Sequence, residues 1–219
     1  KLTDQELRNA VYAGPWLTDA KRYFSKTQGP AYIIAHDYIK GVANRQEYLE
    51  RAIEWISEGS IEEYMAKHQK DQNANELWLH FKSVIDWVRV TFPVKRESIM
   101  KGVDWGALYR DFETEPLDTE ALESKIKALV MDDDVEKKSG IYPYVLRGDE
   151  KYLNIRAFSK SMRESAYERQ VGVCVHCQKK FSLKEMEADH ITPWSEGGKT
   201  VSENCQMLCR ECNRRKSNR

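Results

Sequence analysis

The sequence predicts a mainly α protein that ends in a small α+β domain, and three observations carry that reading. Over most of the first three-quarters of the 219 residues, apolar side chains recur at helical spacing between capping and breaking residues. Around Ser139 to Phe158 these stripes give way to short aromatic and β-branched stretches punctuated by Gly140, Pro143 and Gly148. All five cysteines then fall within the last 46 residues, a stretch too short to hold itself together by apolar burial alone. The expected division is a helical domain over residues 1–158 and a second, metal-stapled domain over residues 159–219.

The helices are read in chain order. Thr3-Asp4-Gln5-Glu6 has the form of a capping box, with Leu7 and Val11 four apart behind it. From Arg45 to Glu58, apolar residues at Tyr48, Leu49, Ala52, Ile53 and Ile56 give helical periodicity, and Gly59 is placed to stop it. Ser60-Ile61-Glu62-Glu63 offers a second capping box for a short helix. Leu77, Phe81, Val84, Ile85, Val88 and Phe92 form a further stripe closed by Pro93. Asp118 to about Val130 gives another helix, with Leu122, Ile126, Leu129 and Val130 inward. These stripes are read as packing surface. The run Asp132-Asp133-Asp134 is read as a solvated helix end, because consecutive residues point in different directions. Residues 139–158 are read as a connecting segment with a small hairpin, leading into a helix from Ser159 to about Gln170.

Composition excludes some classes of function. No apolar run approaches the roughly 20 residues needed to cross a bilayer, so no membrane partner is expected. The net charge is zero, which argues against a uniformly basic nucleic-acid binder. From Lys160 onward, however, 12 Lys and Arg stand against 8 Asp and Glu, much of the surplus lying in Arg210, Arg214, Arg215, Lys216 and Arg219. Arg214, Arg215 and Lys216 are the candidate phosphate contacts. An odd number of clustered cysteines without a secretory leader points to metal ligation, and to a reducing, cytoplasmic setting. The chain opens on Lys1, so an upstream portion is expected.

Cys174-Val-His-Cys177 and Cys209-Arg-Glu-Cys212 are two CxxC pairs separated by 31 residues. Each is read as a tight turn aiming two thiolates at one point, and the pair closes a tetrahedral shell around a structural Zn²⁺. Cys205 is left over and is placed on the inner face of a short strand, while His176 is read as exposed. Between the pairs, Asp189 and His190 are adjacent, so on an extended strand they face opposite sides. One can ligate a metal while the other addresses a water. Asn213 opens a basic helical segment directly after Cys212, where a first-turn side chain can reach back towards Asp189.

The string C-x2-C, then A-D-H-I-x-P-W-x-x-G-G, then N-C-Q-x-L-C-x-x-C-N-x-x-K resembles the HNH endonucleases, the ββα-metal or His-Me finger nucleases. The resemblance covers Cys174 to Lys216, about one-fifth of the chain. It implies that His190 activates water for attack on a DNA phosphodiester. It also implies that Asp189 and Asn213 hold one Mg²⁺ or Mn²⁺ beside the leaving 3′ oxygen, and that Asn204 pins the loop orienting His190. Asn213 stands where some members have His, an H-N-N variant whose amide oxygen suits a hard ion such as Mg²⁺. A single His base per chain implies nicking of one strand, so a double-strand break takes two copies, as in a homodimer.

Outside that span, Lys1-Leu-Thr-Asp-Gln-Glu-Leu-Arg-Asn9 is similar to the closing motif of the nucleotide-hydrolysing domain of GmrSD-type restriction proteins. Lys138-Ser-Gly-Ile-Tyr-Pro-Tyr and Tyr152-Leu-Asn-Ile-Arg-Ala-Phe158 are similar to the lead-in to their HNH domains. The implied whole is the effector part of a restriction or phage-defence protein. The competing reading is a zinc-knuckle nucleic-acid-binding module without catalysis. It uses the same four cysteines and basic tail but has no use for Asp189 and His190 together with Asn204 and Asn213.

Overall fold

The computed structural model describes residues 2–217, with side chains through Lys216, so Lys1 of the opening motif and Arg219 of the basic tail lie outside the described residues. The fold is mainly helical, with one two-stranded antiparallel sheet near the C-terminus. The chain divides into two compact units, residues 1–131 with 138–152 and residues 132–137 with 153–219. No helix among the described residues is long and apolar enough to cross a membrane.

The first unit holds α1 (Asp4–Val11), α2 (Pro15–Phe24), α3 (Pro30–Ala35), α4 (Glu47–Ser57), α5 (Ile61–His68), α6 (Asn75–Thr91), α7 (Glu97–Met100), α8 (Trp105–Phe112), α9 (Thr119–Val130) and α10 (Ile141–Arg147). The stripes on α4 and α6 are its spine. Tyr48, Leu49, Ala52, Ile53 and Trp55 of α4 and Leu77, Phe81, Val84, Ile85 and Val88 of α6 are all buried. Trp55 stacks on Phe81 with ring centroids 5.5 Å apart, a geometry that adds to their area burial. Helix α4 ends where Glu58 and Gly59 both take positive φ and Gly59 N–H returns to the Glu54 carbonyl, a left-handed stop. Asp118 caps α9 by accepting from the N–H groups of Glu120 and Ala121.

Several sequence expectations are corrected here. The Thr3–Glu6 capping box forms in both directions, but Leu7 and Val11 behind it are 52% and 68% exposed. The buried face of α1 is polar instead: Gln5 donates to Asn9 Oδ1 at 2.9 Å, and Asn9 donates to Gln46 Oε1 at 3.2 Å. Hydrogen bonds through Gln5 Nε2 and through both amide atoms of Asn9 offset part of the cost of burying polar groups there, while Gln5 Oε1 is left without a partner. Ser60 precedes α5 but makes no side-chain cap. The stretch Ile141–Arg147, expected to hold part of a hairpin, is helical because Pro143 sits in the first turn, where its missing N–H costs nothing, and Gly148 closes the end at φ 76°.

The second unit contains α11 (Lys160–Arg169), β1 (Met186–His190), β2 (Cys205–Cys209) and α12 (Arg210–Ser217). Ser159 caps α11 by accepting from Met162 N–H. β1 and β2 pair antiparallel with Asp189 opposite Gln206 and His190 opposite Cys205. The outer edge of β2 is satisfied by Gln170, whose amide both donates to Met207 O and accepts from Met207 N–H, which blunts an otherwise open strand edge. Residues 132–137 run beside residues 153–156, with Val135 bridging Ile155. The acidic run is therefore no solvated helix end: Asp134 is buried and accepts from Thr200 N–H at 2.9 Å.

Gly106 on α8 gives a direct test of the helical core. A Cβ there would lie 2.3 Å from Trp55 Cγ. Gly106→Ala is expected to destabilise by about 1–3 kcal/mol through overpacking, outweighing the gain of about 1 kcal/mol in helix propensity. A urea midpoint equal to or above wild type would contradict this packing.

Candidate functional site

Each cysteine pair is presented by a different local structure. Cys174 and Cys177 flank a tight turn held by Cys174 N–H to Lys179 O and Gln178 N–H to Cys174 O, with Val173 bridging Lys180. The second pair, expected as a matching turn, is instead a strand-to-helix junction. Cys209 is the last residue of β2 and Cys212 lies in the first turn of α12. The four sulfurs all lie within 4.8 Å of one another, with Cys177 Sγ and Cys209 Sγ 3.9 Å apart. Zinc–sulfur bonds of about 2.3 Å in a tetrahedron place sulfurs about 3.8 Å apart. The cluster can thus hold a metal ion such as zinc. Burial alone would push the Cys174 thiol up, but backbone N–H groups of Cys177, Cys209 and His176 together draw it down to about 6. Such donors favour the thiolate that a metal requires. Arg215 also reaches Cys212 Sγ at 3.4 Å.

These cysteines are also core. The buried cluster of the second unit is Ala166, Cys174, Met186, Cys205, Met207, Leu208, Cys209 and Cys212. Cys205 packs there as a small apolar side chain, and burial pushes its thiol up. His176 is exposed.

Strand β1 separates two sets of side chains. Met186, Ala188 and His190 fall on one face and Glu187 and Asp189 on the other. The second face meets α12. Asn213 Nδ2 donates to Glu187 Oε2 at 2.8 Å, and Lys216 Nζ donates to Asp189 Oδ2 and to His190 O at 2.7 Å. Gln206 Nε2 adds a bond to Asp189 Oδ2 at 2.9 Å. Asp189 and Asn213 therefore share one strand–helix face with Glu187, a set of oxygen donors suited to a hard divalent cation. The partly exposed Lys216 ammonium forms an ion pair with the Asp189 carboxylate. Arg214 is exposed, and Arg215 is exposed beside Glu211.

On the opposite face, the His190 ring lies against Phe158, with centroids 4.4 Å apart, and His190 Nε2 is 3.1 Å from Thr200 Oγ1. The loop after His190 is folded around Asn204. Its Oδ1 accepts from Thr192 N–H at 2.8 Å, and its Nδ2 donates to Thr192 O and Lys199 O, each at 3.0 Å. A Cβ on Gly198 would fall 1.8 Å from Thr192 O, so this close approach admits only glycine. Asp132 receives Trp194 Nε1 at 3.2 Å and Lys199 Nζ at 2.8 Å, tying residues 132–134 to the same loop.

Residues 174–219 match the HNH endonuclease family. No curated protein and no solved structure matches the chain. The HNH segment takes in the four cysteines, both strands and α12, and supports nuclease activity in general.

Sequence reasoning missed Glu187, Thr200, Phe158, Asp132 and Asp134 as neighbours of the site. Glu187 had a signal, since it stands two residues before Asp189 and so shares its strand face. The others are brought in by long-range contacts that no local spacing reports.

The zinc reading predicts one tightly held zinc per chain by elemental analysis. Cys174→Ser is expected to lose that zinc and to lower the melting temperature of the second unit steeply, because structural zinc contributes on the order of 10 kcal/mol to small folds. Full zinc content in the variant would overturn the assignment.

Proposed function

We propose that this protein is a metal-dependent endonuclease that hydrolyses phosphodiester bonds in DNA, with His190 as general base. The observation that carries the proposal is the division of labour across β1. A histidine lies on one face and an oxygen-donor pocket on the other, inside the segment matched to HNH endonucleases. Asp189 and Asn213 are the residues that would hold a Mg²⁺ or Mn²⁺ ion, with Glu187 beside them. Such an ion supplies positive charge at the phosphate and the leaving oxygen. The cysteine tetrad holds structural zinc and takes no part in the reaction.

The chain's own residues then account for the proton and the geometry. His190 accepts a proton from a water as its oxygen attacks phosphorus, the P–O3′ bond breaks, and the 3′ oxygen takes a proton from solvent. Asn204 acts by positioning, since its amide is fully engaged with the loop that follows His190. Lys216 supports the pocket through Asp189, and Arg214 and Arg215 supply salt-dependent contacts to phosphate without base preference. The remainder, residues 1–158, is proposed to position DNA or to couple the nuclease to an upstream module. The similarity of the opening motif to GmrSD-type restriction proteins supports a role as a defence effector. Cleavage of both strands would use two copies.

Plasmid cleavage in Mg²⁺ or Mn²⁺ tests the proposal. His190→Ala is expected to slow cutting by about 10²- to 10⁴-fold, the usual contribution of a general base, while keeping its zinc. Equal rates for the variant and wild type would remove His190 from the reaction. Tight zinc with DNA binding but no metal-dependent cutting would favour the non-catalytic zinc-knuckle module.

A further inference from the structure

We infer that Thr200, held by residues upstream of the HNH segment, is a positioning residue that fixes His190 as its Nε2–H tautomer and so leaves the basic lone pair on Nδ1. The inference rests on the proposed role of His190 and specifies which ring atom performs it.

Hydrogen-bond capacity decides where the ring proton sits. Thr200 is 3% exposed, so its hydroxyl has little recourse to solvent. Oγ1 lies 3.2 Å from the Arg156 carbonyl and 3.1 Å from His190 Nε2. A hydroxyl carries one proton, and a carbonyl oxygen can only accept. If the Thr200 proton went to the imidazole, two oxygens would face each other across 3.2 Å with no proton between them. The arrangement that satisfies all three groups has Thr200 donating to Arg156 O and accepting from His190 Nε2–H. A neutral imidazole with its proton on Nε2 carries its lone pair on Nδ1.

Thr200 is itself held in place from two sides. Its backbone N–H donates to the buried carboxylate of Asp134 at 2.9 Å, and Arg156 N–H donates to Asp134 O at 2.8 Å. Phe158, two residues after Arg156, covers the His190 ring. Residues 134 and 156–158 thus form a strap that sets both the plane and the proton of the imidazole. They lie outside the segment that matches the family, at residues 174–219. The strap makes the proposed base dependent on a part of the chain outside that segment.

The test uses the full-length, zinc-loaded protein with ¹⁵N-labelled histidine rings, at a pH well above the ordinary imidazole value of about 6.5 so that the ring is neutral. Long-range proton–nitrogen correlation spectra distinguish a protonated ring nitrogen from a bare one, and His190→Gln identifies the His190 signals by their loss. The expected wild-type result is a protonated Nε2 and a bare Nδ1, with the Nε2 proton exchanging slowly enough to be seen. Thr200→Val is expected to lose that protected proton and to slow plasmid cleavage by about 10- to 100-fold, the usual cost of removing a hydrogen bond that orients a functional imidazole. Thr200→Ser is expected to restore both. A proton on Nδ1 in the wild type would overturn the inference without any variant, as would a Thr200→Val spectrum and rate like the wild type. Should Thr200→Val fail to fold, the wild-type spectrum still decides the tautomer, and Thr200→Ser tests the hydroxyl. Failure of the underlying reading is separate: it appears as undiminished cutting by His190→Ala, whatever the tautomer.

Discussion

The convergence of four thiolates on one point is the constraint from which the second unit follows. Three of the eight buried residues in its core cluster are among those cysteines, Cys205 is a fourth thiol there and Cys177 packs against it, so without a shared ion the core would be small and studded with thiols. A shared ion would do more than add stability. Cys209 ends β2 and Cys212 lies in the first turn of α12, so fixing both sulfurs fixes the angle at which the helix leaves the hairpin. That angle lays α12 along the face of β1 that carries Glu187 and Asp189. Three residues of helix advance about 4.5 Å and two residues of strand about 6.6 Å. Asn213 and Lys216 can therefore meet Glu187 and Asp189 respectively, and the long lysine stem spans the difference.

What was legible in the sequence was whatever depends on local spacing. Ligation needs thiols a few residues apart, so the cysteine pairs were readable, and adjacent residues on a strand must diverge, so the split between Asp189 and His190 was readable too. Helices α4, α6 and α9 announced themselves by periodicity, because each buries one continuous apolar face. Helix α1 did not, because its inward face is the pair Gln5 and Asn9, and a polar pair leaves no hydrophobic signature. The stretch Ile141–Arg147 misled because its β-branched and aromatic residues suit a strand, while one proline in a first turn and one left-handed glycine suit a helix.

The surroundings of the site were illegible for a different reason. Asp132 lies 67 residues before Lys199, and Asp134 lies 66 before Thr200. Nothing in an acidic triplet distinguishes a solvated helix end from a buried clamp. Only the fold shows that one carboxylate gathers an indole and an ammonium while another gathers a backbone N–H. The same triplet is thus the foundation of the loop that carries Gly198 and Thr200, and it belongs to the second unit although helical sequence stands on both sides of it.

The two faces of β1 also settle an electrostatic conflict that any such site must meet. In the proposed reaction His190 gains a proton and becomes a cation, and the other face of the strand already holds one, the Lys216 ammonium on Asp189. Two like unit charges repel by about 4 kcal/mol at about 4 Å and an effective dielectric of 20, and by less as they separate. Asp189 offsets that repulsion, because its carboxylate lies on the same side as the ammonium and adjoins it. On the far side, Thr200 accepts the ring's existing proton, so the incoming one has a defined nitrogen to join. The loop that follows His190 is clamped by Asn204, by the close approach of Gly198 to Thr192 O and by Asp132 and Asp134, so the strand leaves the sheet along one path with its two faces as they stand.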